Sequence, residues 1–366
     1  MTGSGSLFNG ASDIIPVRLE RKMTTAGLVE RIGGTSFEAR NLARGARLYE
    51  RMIREGDTVW LGIAGAGVAG GMGGIVLSLL EAGFIDVICS TGAQVYHDLH
   101  FAFGLPVKAV NPRVDDDALR AHGDTRIYDI GIREKETLEA QDEIIRKFVR
   151  EIHGSIDGRP LSSWEFNLLL GRWVNDNAPY PERSFVAVAA LLEVPVFWDS
   201  LANHSVTMNL LRMDLEGFSV SLHPQNDILD SAAIVYAAEG TGFVELGGGG
   251  PKNFIQQAGP TISQILGIPF EGADRGLQIG TAVEREGSLS GCTFGEGVTW
   301  GKYQAVDDLS LVQIWGEYSV LFPLVAAFVL EKSGDRPGKR LTGRISGMRE
   351  ALKERYDAQL AEFSGP

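Results

Sequence analysis

Residues 57–70 read Asp-Thr-Val-Trp-Leu-Gly-Ile-Ala-Gly-Ala-Gly-Val-Ala-Gly, a short apolar run followed directly by a glycine-rich turn. The run predicts a buried strand, and the apolar residues after the turn predict a helix. A strand, a Gly-x-Gly-x-x-Gly turn and a helix are typical of a dinucleotide site, because the glycines let the backbone approach a pyrophosphate. A tight turn with close packing between strand and helix accounts for the same pattern, so both interpretations stay open.

Strands and helices are predicted to alternate along the rest of the chain. Further strands are expected at residues 84–89, 107–110, 126–132, 194–198, 218–222, 243–246, 277–282 and 311–315. Helices are expected within residues 23–53 and at 134–152, 161–174, 185–192, 227–238, 319–330 and 340–362. This alternation predicts an α/β, Rossmann-like fold with a mainly parallel sheet and helices on both faces. The first and last helices would form N-terminal and C-terminal helical extensions.

Composition indicates one large folded unit. The chain has 366 residues, of which 44% are hydrophobic and 22% charged, enough to bury a large core. Residues 1–22 begin with a stretch rich in glycine and serine and are expected to form a flexible N-terminus. No later shift in composition indicates a linker, so residues 23–366 are predicted to form a single domain.

The charge and the cysteines restrict the partners and the compartment. A formal net charge of −13 argues against nucleic acid or an anionic membrane as partner and suits small cationic ligands. The two cysteines, Cys89 and Cys292, suggest no disulfide framework. We therefore expect a cytoplasmic protein with no export signal. The uncharged apolar run at residues 319–330 is too short to span a bilayer.

Two other patterns are weaker indications of a site. Asp86 lies about where a ribose-binding acid could sit, but inside its predicted strand rather than at the end. His97 and His100 flank Asp98, yet no third ligand follows at a recognisable spacing, so no metal site is predicted.

Residues 286–302 read Glu-Gly-Ser-Leu-Ser-Gly-Cys-Thr-Phe-Gly-Glu-Gly-Val-Thr-Trp-Gly-Lys, with too much glycine and serine for the interior of a strand or helix. Such a loop is expected to place side chains. A lysine that is partly desolvated beside an aromatic wall has a lowered pKa, and its free amine can attack carbon. Lys302 is therefore a candidate nucleophile of the imine-forming kind. The alternative is a surface lysine near a core tryptophan.

This loop, with Gly280-Thr281-Ala282 before it, resembles the active-site segment of deoxyhypusine synthases, in which Trp-Gly-Lys carries the covalent lysine. Other segments that resemble the family, in the family's order, are residues 126–130, 181–184, 194–197, 246–252 and 319–323. The resemblance extends over about residues 23–330 and is strongest to the bacterial deoxyhypusine synthase-like branch, which forms homospermidine or a bis-guanidino relative. It implies a Rossmann-like NAD-binding domain and a homotetramer with sites at dimer interfaces.

The resemblance also implies a reaction. A four-carbon aminoalkyl unit would pass from a polyamine or diamine, through an imine on the enzyme lysine, to an acceptor amine, and NAD would store the hydride so that no net oxidation occurs. Putrescine, spermidine or agmatine are the expected partners, with a small-amine acceptor favoured. The alternatives are a true deoxyhypusine synthase acting on a protein lysine, a plain NAD dehydrogenase with Lys302 as acid or base, and a catalytically silent NAD-binding homologue.

Site residues follow from the resemblance by position. Lys302 would be catalytic. The amine side would be lined by Asn253, Gln257, Ser288, Leu289, Glu296 and Trp300. The NAD side would be lined by Gly65, Ala66, Thr91, Gly92, Ala93, Asn203, Thr281, Ala282 and Glu317.

At five positions in or near the predicted site, this chain has a different residue from the protein-modifying members of the family. Leu289 replaces an acid that holds the far amine of spermidine, and Asn253 replaces a histidine. Gln257 stands where asparagine is expected, and Asn203 and Met208 stand where aspartates are expected. These departures bear on which amine is used, and not on the lysine or the cofactor.

Overall fold

The structure is a computed structural model that describes residues 8, 10–304, 307 and 309–363, with side chains through residue 361. Residues 1–7 and 9, the first part of the expected flexible N-terminus, lie outside the described residues. The division at residue 22 stays a prediction.

Nine strands occur in the described part of the chain. They are β1 (Thr58–Ile63), β2 (Val87–Ser90), β3 (Val107–Ala109), β4 (Asp124–Ile127), β5 (Ile130–Arg133), β6 (Val196–Trp198), β7 (Thr241–Leu246), β8 (Arg275–Gly280) and β9 (Leu311–Trp315). The α-helices are α1 (Thr25–Ile32), α2 (Glu38–Glu55), α3 (Gly73–Glu81), α4 (Gly92–Ala102), α5 (Asp116–Ala121), α6 (Ala140–His153), α7 (Ser163–Asn177), α8 (Phe185–Leu191), α9 (Ser205–Leu215), α10 (Pro224–Tyr236), α11 (Gly249–Gln256), α12 (Ala258–Pro260), α13 (Phe294–Thr299), α14 (Tyr318–Lys332) and α15 (Ile345–Phe363). Turns of π-helix occur at Val68–Met72, Glu134–Glu139 and Thr261–Ile265.

The main sheet has the strand order β6-β2-β1-β7-β8-β9, and every neighbouring pair is parallel. From β1 the chain passes to β2 on one side, whereas β7 pairs with β1 on the other side. The strand order therefore reverses at β1, and the loops that follow β1 and β7 separate at the carboxyl edge of the sheet. In parallel α/β sheets, this is where ligands bind.

Hydrophobic side chains leave the sheet on both faces. In β1, Val59, Leu61 and Ile63 join one buried cluster, and Trp60 joins a second cluster on the opposite face. The first cluster packs against α1 to α4, α6 to α9 and α14, and the second packs mainly against α10, α11, α12 and α15. The predicted fold class, a parallel sheet with helices on both faces, is confirmed.

The helical extensions pack onto this body. α1 lies against α2 and α14, and the Glu331 carboxylate accepts hydrogen bonds from the amides of Thr25 and Ala26. α15 packs on α10, where Leu352 is fully buried and Arg349 pairs with Asp230. No helix in the described part of the chain is long and apolar enough to cross a membrane.

Three of the predicted elements were wrong. Residues 126–132 form two strands rather than one: β4 and β5 are joined by a turn at Tyr128 and Asp129, and with β3 they make a separate antiparallel sheet. That turn contains neither glycine nor proline, so the sequence carried no strong turn signal. Residues 218–222 form no strand, and only Leu222 makes a single bridge, to Leu161.

The third correction concerns the lysine loop. Residues 286–302 include a short helix, α13, in addition to turns. Its glycines lower helix propensity, but hydrogen bonds at both ends stabilise it, as described below. α4, α5 and α9 were not predicted at all, and α4 begins at a Thr91 cap whose hydroxyl accepts from the Gln94 amide.

Candidate active site

A pocket of about 980 Å³ opens beside α11 and the segment that leads to Lys302. It brings together all the residues predicted for the catalytic and amine sides: Asn253, Gln257, Ser288, Leu289, Glu296, Trp300 and Lys302. Two acidic residues that the sequence did not single out, Asp199 and Glu284, also line it. Apolar side chains of Ile228, Phe254 and Ile265 complete much of the wall.

The helix α13 places the lysine at this pocket. At its start, the Thr293 hydroxyl accepts from the Glu296 amide at 3.2 Å, and the Glu296 carboxylate accepts from the Thr293 amide at 2.9 Å, forming a capping box. At its end, Gly301 has φ 67°, a left-handed conformation that favours glycine.

The chain reversal at Gly301 is a Schellman motif. The Gly301 amide donates to the Val298 carbonyl and the Lys302 amide donates to the Gly297 carbonyl, each at 3.0 Å. The reversal gives a local physical reason for the sequence Trp-Gly-Lys. It leaves Trp300 at the rim, 65% exposed, and turns Lys302 inward, 7% exposed.

Lys302 is buried beside a neutral acceptor. Its Nζ donates to Oδ1 of Asn253 at 2.9 Å. Burial lowers the pKa of Lys302, the nearby Lys252 lowers it as well, and the carboxylates of Glu245 and Glu296 act against this shift. The expected direction of the shift is therefore present, but Trp300 is too exposed to be the main source of the burial.

Two faces of α11 serve different purposes, because residues four apart lie on the same side of a helix. Asn253 and Gln257 face the pocket. Lys252 and Gln256 face the sheet, where the Lys252 Nζ donates to Oε1 of Gln278 at 2.9 Å and Gln256 donates to Glu245 at 2.7 Å.

Asp199 is the acidic residue that follows β6 and reaches the pocket. Its Oδ1 is buried without a hydrogen-bond partner among the described residues, and burial raises its pKa to about 6. A Cβ on Gly250 would lie 2.0 Å from Oδ2 of Asp199, so a side chain there would displace this carboxylate. Asn203, the residue that the resemblance placed near this strand end, is exposed in the following loop and does not line this pocket. The position of Asp199, directly after a buried strand, was the signal that could have identified it.

A smaller crevice of about 350 Å³ lies at the carboxyl edge of β7, β8 and β9. It contains Thr281, Ala282 and Glu317 from the predicted cofactor side, together with Gly247, Gly248, Gly280, Glu286, Ser290, Gly316 and Tyr318. Gly65 and Ala66 follow β1, and the segment from Thr91 to Ala93 follows β2, at the same edge of the sheet. These last five residues do not line the crevice itself.

The residues of this edge suit a dinucleotide. The crevice walls are largely glycine and other small residues, which expose backbone groups to a pyrophosphate. A carboxylate can accept the hydroxyls of a ribose, and Glu317 is exposed there while capping α14 through the amide of Ser319 at 2.9 Å.

The glycine turn at residues 65–70 has a packing function that the structure shows directly. The Tyr318 hydroxyl accepts from the Gly67 amide at 3.0 Å and donates to the Ala64 carbonyl at 2.8 Å. A Cβ on Gly67 would lie 2.3 Å from that hydroxyl oxygen. Close packing therefore accounts for Gly67, while the cofactor interpretation continues to apply to Gly65 and Ala66 as a prediction.

The weaker patterns form no part of this site. Asp86 directly precedes β2, at the opposite edge of the sheet, where it pairs with Arg336 and accepts from the Val59 amide. His97 and His100 contact each other at 3.0 Å, and burial lowers the pKa of both, that of His100 to about 3. Within the described residues, no three His, Cys, Asp or Glu side chains are grouped so as to hold a metal ion.

Known proteins resemble this chain over most of its length. The family model for deoxyhypusine synthase matches residues 27–329. A Nostoc punctiforme protein named "Deoxyhypusine synthase-like protein" is 33% identical over 352 residues, covering 94% of this chain and 89% of that protein. A Methanosarcina acetivorans protein named "Probable deoxyhypusine synthase 2" is 34% identical over 322 residues, covering 88% and 90%.

One crystal structure with a similar fold is that of a candidate deoxyhypusine synthase from Entamoeba histolytica. The TM-score is 0.58 at 16% sequence identity, over 89% of this chain and 100% of that chain. At this identity the likeness is one of fold.

Proposed function

This chain belongs to the deoxyhypusine synthase family, and on that premise we propose that it transfers a four-carbon aminoalkyl unit from a polyamine or diamine to an acceptor amine. In this proposal the protein is an alkyl-group transferase that uses NAD, and Lys302 carries the unit as an imine. The observation that carries the proposal is the buried Lys302, hydrogen-bonded to a neutral amide in a pocket with acidic side chains.

Lys302 supplies the nucleophile. With its pKa lowered by burial, a larger share of its side chain is the free amine at neutral pH. Its Nζ forms a bond to the imine carbon of the oxidised substrate. A proton passes from that nitrogen to the departing amine, whose bond to the carbon then breaks. The Asn253 Oδ1 holds Nζ in place for this attack.

NAD, when bound, supplies a hydride acceptor for the amine and returns the hydride at the end. The chain's own contribution would be the crevice at residues 280–282, with Gly247 and Gly248 on its other side and Glu317 at its end. Gly65, Ala66 and the residues Thr91, Gly92 and Ala93 lie at the same edge of the sheet and would extend this surface. Asn203, which is exposed in the loop after β6, stays a predicted residue of the cofactor side.

The acidic lining would attract a cationic amine. The Thr293 amide lowers the pKa of Glu296 by hydrogen bonding, so this carboxylate is ionised at neutral pH. Asp199 and Glu284 add two further carboxyl groups to the same pocket. Trp300 offers a ring face at the rim to an ammonium or guanidinium group.

A small amine is the favoured acceptor. Leu289, half-exposed in the pocket wall, provides no charge for the far amine of spermidine, and the neighbouring Ile228, Phe254 and Ile265 are apolar. Putrescine or agmatine would suit such a wall, with spermidine as a further donor. Transfer to a protein lysine is the second candidate, since relatives of nearly equal identity carry names of both kinds.

A homotetramer with sites at dimer interfaces is also part of the proposal. α9 exposes Met208, Leu211 and Leu215, which lie along one side of the helix at spacings of three and four residues. An exposed apolar stripe of this kind would be buried against another copy of the chain. Cytoplasmic localisation stays a prediction.

Product analysis tests this function. Purified protein with NAD and putrescine, spermidine or agmatine should yield a coupled amine, identified by mass spectrometry, with no net gain of NADH. Lys302→Arg should bind NAD and form no product, whereas Lys147→Arg, at an exposed lysine, should behave as wild type. NADH accumulating in step with amine consumption would instead indicate a dehydrogenase. Reaction with a protein lysine alone would favour the second candidate.

A further inference from the structure

A set of polar side chains lies buried between α11 and the sheet, directly behind Lys302. We call it the buried cluster; it consists of Glu245, Lys252, Gln256, Gln278 and Tyr303, which are all nearly inaccessible to solvent. Glu245 lies on β7 next to the centre of the sheet. Its Oε1 accepts from the Tyr303 hydroxyl and from the Gln256 amide, each at 2.7 Å.

The second oxygen of Glu245, Oε2, is buried and is not hydrogen-bonded in the described part of the chain. A buried acidic group is costly unless it is balanced by a positive charge. Burial raises the pKa of Glu245, and the largest opposing influence is the positive charge of Lys252.

Two buried lysines act electrostatically on this one carboxylate, and their hydrogen bonds differ. Lys252 is bonded to Gln278, the residue opposite Glu245 in the β7–β8 register. An ammonium group has three N–H donors. The Lys252 Nζ has two acceptors in place, Oε1 of Gln278 at 2.9 Å and the Cys292 carbonyl at 2.7 Å. Among the residues that the structure describes, the Lys302 Nζ has one acceptor, the Asn253 Oδ1. All three acceptors are neutral, so the lysines differ here only in the number of acceptors. Lys252 has more of them and is therefore the favoured site of the ammonium.

With Glu245 ionised, the charges of the cluster balance when one of the two lysines is neutral. One carboxylate and one ammonium can offset each other in a buried site, while a second ammonium would be uncompensated. The other groups that act on Lys302 are Cys292 and Glu296, and Glu296 lies on the exposed rim.

We propose that Glu245 and Lys252 carry the two opposite charges of the buried cluster, so that Lys302 is kept as the neutral amine. The functional importance of this arrangement rests on the proposed function, since imine formation needs Lys302 as the neutral amine. Glu245 and Lys252 are then positioning residues that act through Lys302. The Glu245 carboxylate stabilises one ammonium group in the cluster. That ammonium is the Lys252 side chain, so Lys302 stays unprotonated.

The test measures the protonation of Lys302 without any turnover. The full chain is treated with butanal and cyanoborohydride across a pH series, and alkylation of Lys302 is followed by peptide mass spectrometry. The rate rises with pH as the free amine forms, and its midpoint reports the pKa of Lys302. A shift of one pH unit changes the rate below the midpoint about tenfold.

Opposite shifts are expected for the two partners. Lys252→Gln removes the competing cation, so Lys302 takes the proton beside Glu245 and the midpoint moves up by about one unit or more. Glu245→Gln removes the anion, so the midpoint moves down. Lys252→Arg keeps the charge and should restore a midpoint near that of wild type. Asp86→Asn, at a buried carboxylate on the opposite edge of the sheet, should leave it unchanged.

The outcomes are distinguishable. If Lys252→Gln and Glu245→Gln shift the midpoint in the same direction, or neither shifts it in folded protein, the proposed charge pair is wrong. If Glu245→Gln does not fold, the comparison of Lys252→Gln with Lys252→Arg decides alone. Because butanal labelling needs neither NAD nor an amine substrate, a protein that transfers no amine would contradict the proposed function and leave this result intact.

Discussion

Lys302 Nζ donates a hydrogen bond to Oδ1 of Asn253 across 2.9 Å, so the proposed nucleophile faces a neutral amide at the position where the resemblance expects a histidine. An amide oxygen accepts from a free amine and from an ammonium alike, and it adds no charge. Burial is therefore the main influence on the pKa of Lys302. This relationship can be tested by adding a charge at residue 253.

Asn253→Asp should move the reactivity of Lys302 to higher pH. A carboxylate within hydrogen-bond distance favours the ammonium and raises the lysine pKa by roughly one unit or more, which cuts imine formation at pH 7 about tenfold. Alkylation by butanal across a pH series measures the shift. Gln257→Glu is the matched control, since it adds the same charge one turn away on the same face, and its shift should be smaller. Equal shifts in both variants would mean that the contact at residue 253 has no special influence.

Leu289→Asp should change substrate preference toward spermidine. A charge-assisted hydrogen bond to the terminal ammonium is worth about 1.5–3 kcal/mol when buried. Because Leu289 is 51% exposed, solvent will reduce this, and we expect a gain of about tenfold or less in relative kcat/KM for spermidine over putrescine. Leu289→Asn, of similar shape without the charge, should leave the ratio close to wild type. A gain of equal size in the Asn variant would rule out the electrostatic explanation.

Gly67→Val should destabilise the protein. Its Cβ would lie 2.3 Å from the Tyr318 hydroxyl oxygen, and overpacking of this kind costs about 1–3 kcal/mol. Denaturant unfolding measures the loss in the free energy of unfolding. Gly74→Val is the control, because a Cβ on Gly74 meets no atom within 4 Å. If Gly67→Val is as stable as Gly74→Val and loses only NAD affinity, contact with the cofactor and not packing is the reason for this glycine.

Amine binding should strengthen as pH rises through about 6. Burial raises the pKa of Asp199 to about 6, so its carboxyl group is mostly neutral at lower pH and ionised above it. Only the ionised form attracts a cationic amine, which stays protonated throughout this range. The measurement is equilibrium binding of agmatine to the Lys302→Arg variant across a pH series. This variant lacks the titrating lysine, so the pH profile of binding reports the remaining groups. Adding Asp199→Asn to this variant should abolish the rise in agmatine affinity between pH 5 and pH 7. An unchanged pH profile would show that Asp199 does not contact the amine.

The general fold and much of the candidate site could be predicted from the sequence. Apolar strands such as β1 and the glycine turns after them are strong local signals, and they led to the correct fold class. Asn253 and Gln257 were placed on the amine side through resemblance. Gln257 directly follows α11 in helical conformation, so its spacing of four from Asn253 explains why the two share a face. Lys302 was identified because Trp-Gly-Lys is a specific pattern, whose geometric reason is the left-handed Gly301.

The features that were missed depend on contacts between distant parts of the chain. Asp199 reaches the pocket because Gly250, on a different element, leaves room for its carboxylate. Glu245 is the charged residue of a buried strand, and only the tertiary structure shows that Tyr303 and Gln256 bind it in the interior. Asn203 was chosen by position along the chain, and its place on the cofactor side stays a prediction.

Covalent trapping on Lys302 tests the central claim most directly. Wild-type protein, NAD and a diamine or polyamine are mixed, reduced with borohydride, and digested for peptide mass spectrometry. The proposed function predicts a four-carbon aminoalkyl adduct on Lys302 that depends on NAD and is absent from Lys302→Arg. Product formation at the full rate without an adduct, or an adduct confined to another lysine such as Lys252, would contradict it.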